Sequence, residues 1–360
     1  MKKLIHAEAI KELDLNGLLE KISKVKIGIL GDLCLDVYWH ADMRQSELSR
    51  ETPHYPLPVV EERFSLGGAA NVCANAAALG ADVTAVGVIG SDWRGAVMEQ
   101  CCKEQKIRTD YLVHEEGRFT NAYCKPMRHG ISEVVYEDPR LDFCTLETIR
   151  EETEEKLLEK LQQLDVDILC VSDQLKYGCI TPKIREQIMS MAENGPKVIA
   201  DSRDRIGLYT GVYLKPNEIE GYRAVYGKAP ELTMDVEAYT ACAKELAQKN
   251  HAHVFMTLGG QGCVSVSEEG VSHMTAAKTP EKIDFVGAGD TMLASLSLAL
   301  AAGATAEEAM AFANLCASIT IGKIGMTGTA SPQEVLAAAG VFGFEEEVIR
   351  QASADEMSHN

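Results

Sequence analysis

Short apolar runs alternate along the chain with longer stretches in which apolar positions recur every three or four residues. Residues 25–31 (VKIGILG) form a continuous apolar run closed by glycine and read as a first buried strand. Residues 83–90, 166–172, 197–201, 212–215 and 253–258 have the same short apolar character and predict further strands. Helical spacing between them predicts helices over 69–79 and about 146–164, 181–194, 217–226 and 233–250, with a late one over 309–323. The longest uncharged run, 291–306, is rich in Ala, Ser and Gly; it is short for a membrane span and predicts a buried core helix. Strand–helix alternation of this kind predicts an α/β fold, with a mostly parallel sheet covered by helices on both faces.

Segments 33–64 and 111–137 break the alternation and read as β-rich excursions. Two excursions from one core could pair into a small sheet over the strand ends, or be unrelated surface loops. Residues 1–24 predict a helical N-terminal extension, because Lys, Glu and Asp are mixed there with Leu and Ile. With no repeat, low-complexity tract or linker, residues 25–345 read as one domain, followed by a tail over 346–360.

Composition narrows the functions. The chain has 360 residues, enough for a full core, and 46% of them are hydrophobic, which excludes disorder as the main state. Its 54 Asp and Glu against 35 Lys and Arg give a net charge of −19. That charge excludes broad binding to nucleic acid or to an anionic membrane, but not a small anion held in one pocket. Eleven cysteines without a CxxC, most of them in apolar runs, predict reduced core thiols in a cytoplasmic protein; no secretory signal is visible.

Five places carry candidate chemistry. In 284–291 (DFVGAGDT), Gly287, Ala288 and Gly289 open a helix and leave its first N–H groups uncrowded. Together with the helix dipole they form an anion hole. Asp290 beside it is placed to take a proton from an attacking hydroxyl while the hole meets phosphoryl charge, or else simply caps the helix. Gly67 and Gly68, followed by Asn71, again open a helix, where Asn71 offers a donor and an acceptor to hydroxyls; close helix packing explains the glycines equally. Asp36, with Asp32, lies just past the first strand, where ligands of open α/β sheets bind. Asn217 and Glu220 are spaced to order water around Mg²⁺, or to close a capping box. Thr257, Gly259 and Gly262 form a glycine-rich turn after a strand, which admits a nucleotide or is a plain hairpin; Asn314, in the late helix, could border an adenine. No P-loop, G-x-G-x-x-G, H-E-x-x-H or G-x-S-x-G is present, and the nine histidines show no metal spacing.

In this order, Asp36, Gly-Gly-x-x-Asn, Asn-x-x-Glu, Thr-x-Gly and Gly-Ala-Gly-Asp resemble the pfkB/ribokinase family of carbohydrate kinases over residues 25–340. The resemblance implies a three-layer α/β/α fold with a mostly parallel central sheet and a small β lid. It implies ATP and Mg²⁺, Asp290 as catalytic base and Gly287–Gly289 as the anion hole. Asp36, Gly67, Gly68 and Asn71 would hold the sugar. Asn217 and Glu220 would serve Mg²⁺ and the phosphates, and Thr257, Gly259, Gly262 and Asn314 would border ATP. Phe285 departs from the family's usual Thr or Pro. The runs 31–39 (GDLCLDVYW), 56–60 (PLPVV) and 322–325 (GKIG), and Ser172-Asp173 with Lys176 and Gly178, are similar more narrowly to heptose-7-phosphate kinase domains. Those domains occur fused to a nucleotidyltransferase, for which 360 residues leave no room. A phosphorylated substrate would need cations, with Lys176, Arg203, Arg128, Arg44 and Arg50 as candidates. Kinases for a neutral sugar or a nucleoside, and an inactive sugar-sensing protein of the same fold, stay open beside the favoured sugar-phosphate kinase. Related kinases build dimers through the lid, which implies a homodimer here.

Overall fold

The apolar runs become strands of one sheet, and the helical patterns become the crossovers between them. The computed structural model describes residues 2–5, 13–130, 132, 134–268, 270–274, 276, 282–325 and 327–339. The first half of the chain runs β1 (Lys2–Ile5), α1 (Leu15–Ile22), β2 (Lys26–Gly31), β3 (Leu33–Asp42), β4 (Val59–Gly68), α2 (Ala69–Ala78), β5 (Asp82–Gly90), α3 (Trp93–Glu104), β6 (Arg108–Glu115), β7 (Asn121–His129), β8 (Val135–Glu137) and β9 (Leu141–Phe143). The second half runs α4 (Glu151–Gln162), β10 (Ile168–Asp173), α5 (Pro182–Asn194), β11 (Lys197–Ser202), β12 (Tyr213–Leu214), α6 (Glu218–Tyr226), α7 (Val236–Asn250), β13 (Val254–Thr257), β14 (Cys263–Ser267), β15 (Gly270–Met274), α8 (Ala288–Ala301) and α9 (Ala306–Thr320).

Ten strands form the large sheet in the order β1-β15-β14-β13-β12-β11-β10-β2-β5-β6. Its pairs are parallel except β13–β14 and β14–β15; the first is the hairpin that the glycine-rich turn allowed, and β15 extends it into a meander. Because successive strand residues face opposite sides, the sheet builds two cores. Ile27, Ile29, Ile168 and Cys170 face one layer with α2, α8 and α9, whereas Leu30, Leu169 and Val171 face the other with α4, α5 and α7. This is the expected α/β/α sandwich. Residues 291–300 of α8 are all buried, as their uncharged run required. Ser295 and Ser297 satisfy their hydroxyls on the carbonyls of Thr291 and Leu293. All eleven cysteines are free, and Cys144 alone is fully exposed. Among the described residues no helix is long and apolar enough to cross a membrane.

The smaller sheet runs β4-β3-β7-β8, with β9 also paired to β7. The two excursions therefore pair with each other, through the parallel β3–β7 ladder. Their limits differ from the expectation. Tyr111, Leu112 and Val113 lie in β6 at the edge of the large sheet, because crossover helix α3 lays that strand parallel to β5. The smaller sheet instead takes in β9, which ends at Phe143. The N-terminal segment is not helical throughout: β1 pairs with β15, and the helix begins only at Leu15. The expected tail over 346–360 lies outside the described residues.

Asp32, between β2 and β3, is buried and accepts hydrogen bonds from the N–H groups of Gln174 (2.9 Å), Leu175 (2.7 Å) and Cys179 (2.9 Å). One carboxylate thus fixes the loop after β10 at the carboxyl end of the sheet. A Cβ at Gly178 would land on that carboxylate. Gly178→Ala should lower the unfolding free energy by about 1–3 kcal/mol through overpacking. In urea titrations it should read as a lower midpoint with an unchanged slope.

Candidate active site

The carboxyl ends of the parallel strands and the N-termini of α2, α6 and α8 gather at one end of the large sheet. Gly287 caps α8 with φ +82° and offers no side chain to its first turn, so the amides there keep no side-chain acceptor. The position demands glycine twice: a side chain would be strained at that φ, and a Cβ would meet Asn71 Nδ2 at 2.9 Å. Asp284 ties the preceding turn down, accepting from Val286 N (3.0 Å) and Gly325 N (2.9 Å). Phe285 points into solvent at 68% exposure.

Asp290 sits in the first turn of α8, and Asn71 in the first turn of α2. The Asn71 amide donates to Asp290 Oδ2 at 2.7 Å. Asn71 is itself held by Asn75, whose amide donates to the Asn71 carbonyl (2.9 Å) and Oδ1 (3.3 Å). Asn75 Oδ1 in turn accepts from the Thr291 hydroxyl at 2.8 Å, which closes a ring of bonds between the two helices. Asp290 keeps part of its surface open while protein crowds its other sides. Burial, with the charge of Asp201 adding to it, pushes its carboxyl up to about 6 against the opposing bond from Asn71.

Asp36 lies within β3 of the smaller sheet rather than in a loop after the first strand, and it is buried. Burial raises its carboxyl, opposed by Lys125, whose ammonium stands 3.5 Å away and donates to Tyr38 Oη at 3.1 Å. Arg140 and Arg63 also act on Asp36, and its charge reaches Asp290. Gly67 and Gly68 end β4, which runs without a break into α2. A Cβ at Gly67 would lie 3.2 Å from Asp36 Oδ1. Asp36, Gly67, Gly68, Asn71 and the 287–290 turn therefore form one group.

A second group adjoins it. Asn217 and Glu220 close a capping box on α6: Asn217 Oδ1 accepts from Ile219 N (3.0 Å) and Glu220 N (2.8 Å), and Glu220 Oε2 accepts from Asn217 N (2.8 Å). Among the described residues, Glu220 Oε2 has a hydrogen-bond partner and Oε1 has none. Thr257 joins through its N–H to Pro216 O at 3.0 Å. Gly259–Gly262 make a single 3₁₀ turn between β13 and β14, and Asn314 is half-buried on α9, which packs on α8 and β14. The buried Lys215 links the groups. It binds Asp201 at 2.8 Å, and its charge reaches both Glu220 and Asp290. Burial opposes its protonation, but Asp201 and Glu220 outweigh that and raise its pKa; burial raises the Glu220 carboxyl as well.

Lys176 does not join either group. It is exposed, with its ammonium 5.0 Å from the centre of the Tyr177 ring, and makes no hydrogen bond to Asp36, Asn71 or Asp290. Arg44 is paired with Asp42 and Arg128 with Asp138 at the far end of the smaller sheet, and Arg50 is exposed on the connection before β4. Arg203 is exposed, but near enough for its charge to act on Tyr123 and Glu220. The sequence reading missed Asn75, Lys125, Arg140 and the Asp201–Lys215 pair. Asn75 was signalled, as the second Asn on one face of an Ala-rich helix. Lys125 was not, because only the β3–β7 register sets it beside Asp36.

A crowded carboxylate in the first turn of a helix thus sits at the carboxyl end of an α/β sheet, where ligands of such sheets bind. The chain belongs to the pfkB family of carbohydrate kinases, whose pattern it matches over residues 34–334. It is 31% identical to the Bifunctional protein HldE of Citrifermentans bemidjiense over 354 residues, 96% of this chain and 69% of that protein. It is 32% identical to the protein of the same name from Sulfurimonas denitrificans, over 86% of this chain and 63% of that one. The chain thus spans roughly two thirds of these relatives. Among solved structures, phosphofructokinase-2 of Escherichia coli superposes with a TM-score of 0.69 at 20% identity, covering 89% of this chain and 99% of that one. Arabidopsis thaliana ribokinase, solved with ribose and ATP, gives 0.65 at 18%, covering 88% and 99%.

Asn71→Ala removes the donor that favours the charged carboxylate, so Asp290 should titrate above its wild-type value. Carboxyl ¹³C titration by NMR should show the resonance moving to higher pH; an unmoved or lowered midpoint would contradict the assigned hydrogen bond.

Proposed function

We propose that this kinase transfers the γ-phosphoryl group of ATP to a hydroxyl of a sugar phosphate, with Asp290 as general base. The observation that carries the reading is the Asp290 carboxyl, held by Asn71 at the N-terminus of α8, which no side chain caps, with its pKa pushed up to about 6. A base poised there is ionised at neutral pH and still accepts a proton readily. The acceptor hydroxyl gives its proton to Asp290 as its oxygen attacks the γ-phosphorus and ADP leaves. The amides of Gly287, Ala288 and Gly289 meet the charge spread over the transferring oxygens. Asp36, Gly68 and Asn71 orient the sugar. Thr257, Gly259, Gly262 and Asn314 border the nucleotide.

The donor set fits Mg²⁺ arriving with the nucleotide. That ion keeps several waters and takes few carboxylates, and Glu220 offers one uncommitted oxygen. Asn217 has spent its carbonyl oxygen on the helix cap, so it acts only through water. The ion would supply charge neutralisation on the phosphates.

Lys125, Arg140, Arg63 and Arg203 collect around Asp36, Tyr123 and Glu220 in a protein of net charge −19. Such a cluster suits a substrate that carries its own phosphate, and it supports heptose 7-phosphate over a neutral sugar or a nucleoside. Val60, Tyr136 and Leu141, exposed on the smaller sheet, support a homodimer through it; the free cysteines suit a cytoplasmic setting.

ADP release should be measured with ATP, Mg²⁺ and a panel of heptose 7-phosphate, fructose 6-phosphate, ribose and a nucleoside. Stimulation by a phosphorylated sugar is expected; stimulation by ribose or the nucleoside alone would overturn the substrate class. Asp290→Asn should lower turnover by about 10²–10⁴-fold with little loss of ATP binding. The same variant should be no less stable at pH 8. The folded-state pKa of about 6 exceeds the ordinary 3.8, so the contribution of Asp290 to stability is fully present below 3.8 and is lost as pH rises through 6. The charged carboxylate then costs at most about 3 kcal/mol, which the amide relieves. A thermal midpoint at pH 8 well below wild type would contradict this.

A further inference from the structure

The smaller sheet meets the body of the protein around one side chain that neither the motifs nor the site uses. Arg94, in the first turn of α3, is 7% exposed. Its guanidinium lies 3.8 Å from the ring centre of Phe143, 4.8 Å from that of Trp93 and 5.6 Å from that of Phe119. Phe143 ends β9, the last strand of the smaller sheet, and Phe119 lies just before β7. Trp93 in turn meets Phe64 of β4 edge-on at 6.5 Å. Two neighbouring residues of a core helix thus contact two of the chain's crossings between the sheets, at Phe119 and Phe143, and strand β4 at Phe64.

Polar contacts share the same pivot. Asp92 caps α3 through Gly95 N (3.0 Å), accepts from Arg94 (3.1 Å) and accepts from Thr120 N (3.1 Å) at the root of β7. Among the described residues, the buried Arg94 Nε meets no hydrogen-bond acceptor. The charge of Arg94 is met by Asp92 and by three aromatic rings, a set of partners that a hydrocarbon side chain would not engage. Cation–π contacts are attractive over a range of ring offsets, which lets rings slide across a guanidinium without a gap opening.

We propose that Arg94 is a positioning residue, the pivot on which the smaller sheet, with its Asp36, is held over Asp290 and about which it closes on the sugar. The proposal rests on the kinase reading above for its catalytic consequence, but not for its structural one. Closure excludes water from the transferring phosphoryl group, so a loose pivot admits hydrolysis.

The test uses Arg94→Met, which keeps the stem and removes the cation, and Arg94→Lys, which keeps the charge without the planar stack. In amide hydrogen exchange on ligand-free protein, β3, β4, β7 and β9 should lose protection in Arg94→Met while β2, β10 and β11 keep theirs. Equal loss over both sheets, or none, would overturn the proposal, whatever the substrate is. In kinetics with ATP and heptose 7-phosphate, the KM for the sugar phosphate should rise roughly tenfold or more and the KM for ATP should stay within about twofold. The share of ATP hydrolysed without transfer should rise too, with Arg94→Lys intermediate. Parallel rises in both KM values with no added hydrolysis would mark a merely structural residue. Wild-type protein that releases no ADP with any acceptor would sink the kinase reading and leave the exchange experiment to decide the pivot.

Discussion

The hydrogen bond between Asn71 and Asp290 is the contact on which the rest of the site depends. It joins the first turns of α2 and α8, so it can form only if both helices deliver their N-termini to the same point. Gly287 makes the approach possible by leaving no Cβ in the way of Asn71. Asn75 and Thr291 then lock the pair one turn deeper. The bond also sets the chemistry: burial alone would drive Asp290 towards its neutral form, and the amide of Asn71 restrains that drift. A carboxylate poised between the two tendencies can both hold and release a proton near neutral pH.

The same junction couples the two sheets. β4 of the smaller sheet runs directly into α2, so the strand that carries Gly67 past Asp36 also places Asn71. Asp36 and Lys125 come from strands paired in the smaller sheet, whereas Asp290, Lys215 and Glu220 belong to the body. The acidity of the chain makes this arrangement matter. With a net charge of −19, attraction for anionic substrates has to be local. Lys125 and Lys215 are local cations of this kind, held against Asp36 and Asp201.

Much of this was legible because it is local. The buried strands follow from unbroken apolar runs, and α8 follows from a stretch with no charge to solvate. The 287–290 turn is readable because small residues at a helix start have few other uses. Asn217 and Glu220 were readable in two ways, as a cap and as a site pair, and the cap is present. The places that misled were those where local pattern is neutral about partners. Tyr111, Leu112 and Val113 look the same in an edge strand of either sheet. Lys2–Ile5 becomes a strand only because β15 offers it an edge. Lys176 and Arg203 look alike as loop cations, yet one stands over Tyr177 and the other acts on Glu220 through its charge.

By itself, then, the sequence determined the α/β/α class, the glycine-rich turn over 287–290 and the family. Each of these is written in spacings of a few residues, over which backbone geometry dictates what side chains can do. Only the tertiary structure decided which charges meet. Asp36 finds Lys125 across 89 positions of chain, and Asn71 finds Asp290 across 219. The pKa of a carboxylate depends on distance and desolvation, which spacing along the chain does not encode. Those long closures, fixed by sheet register and helix packing, turn a legible list of residues into a site.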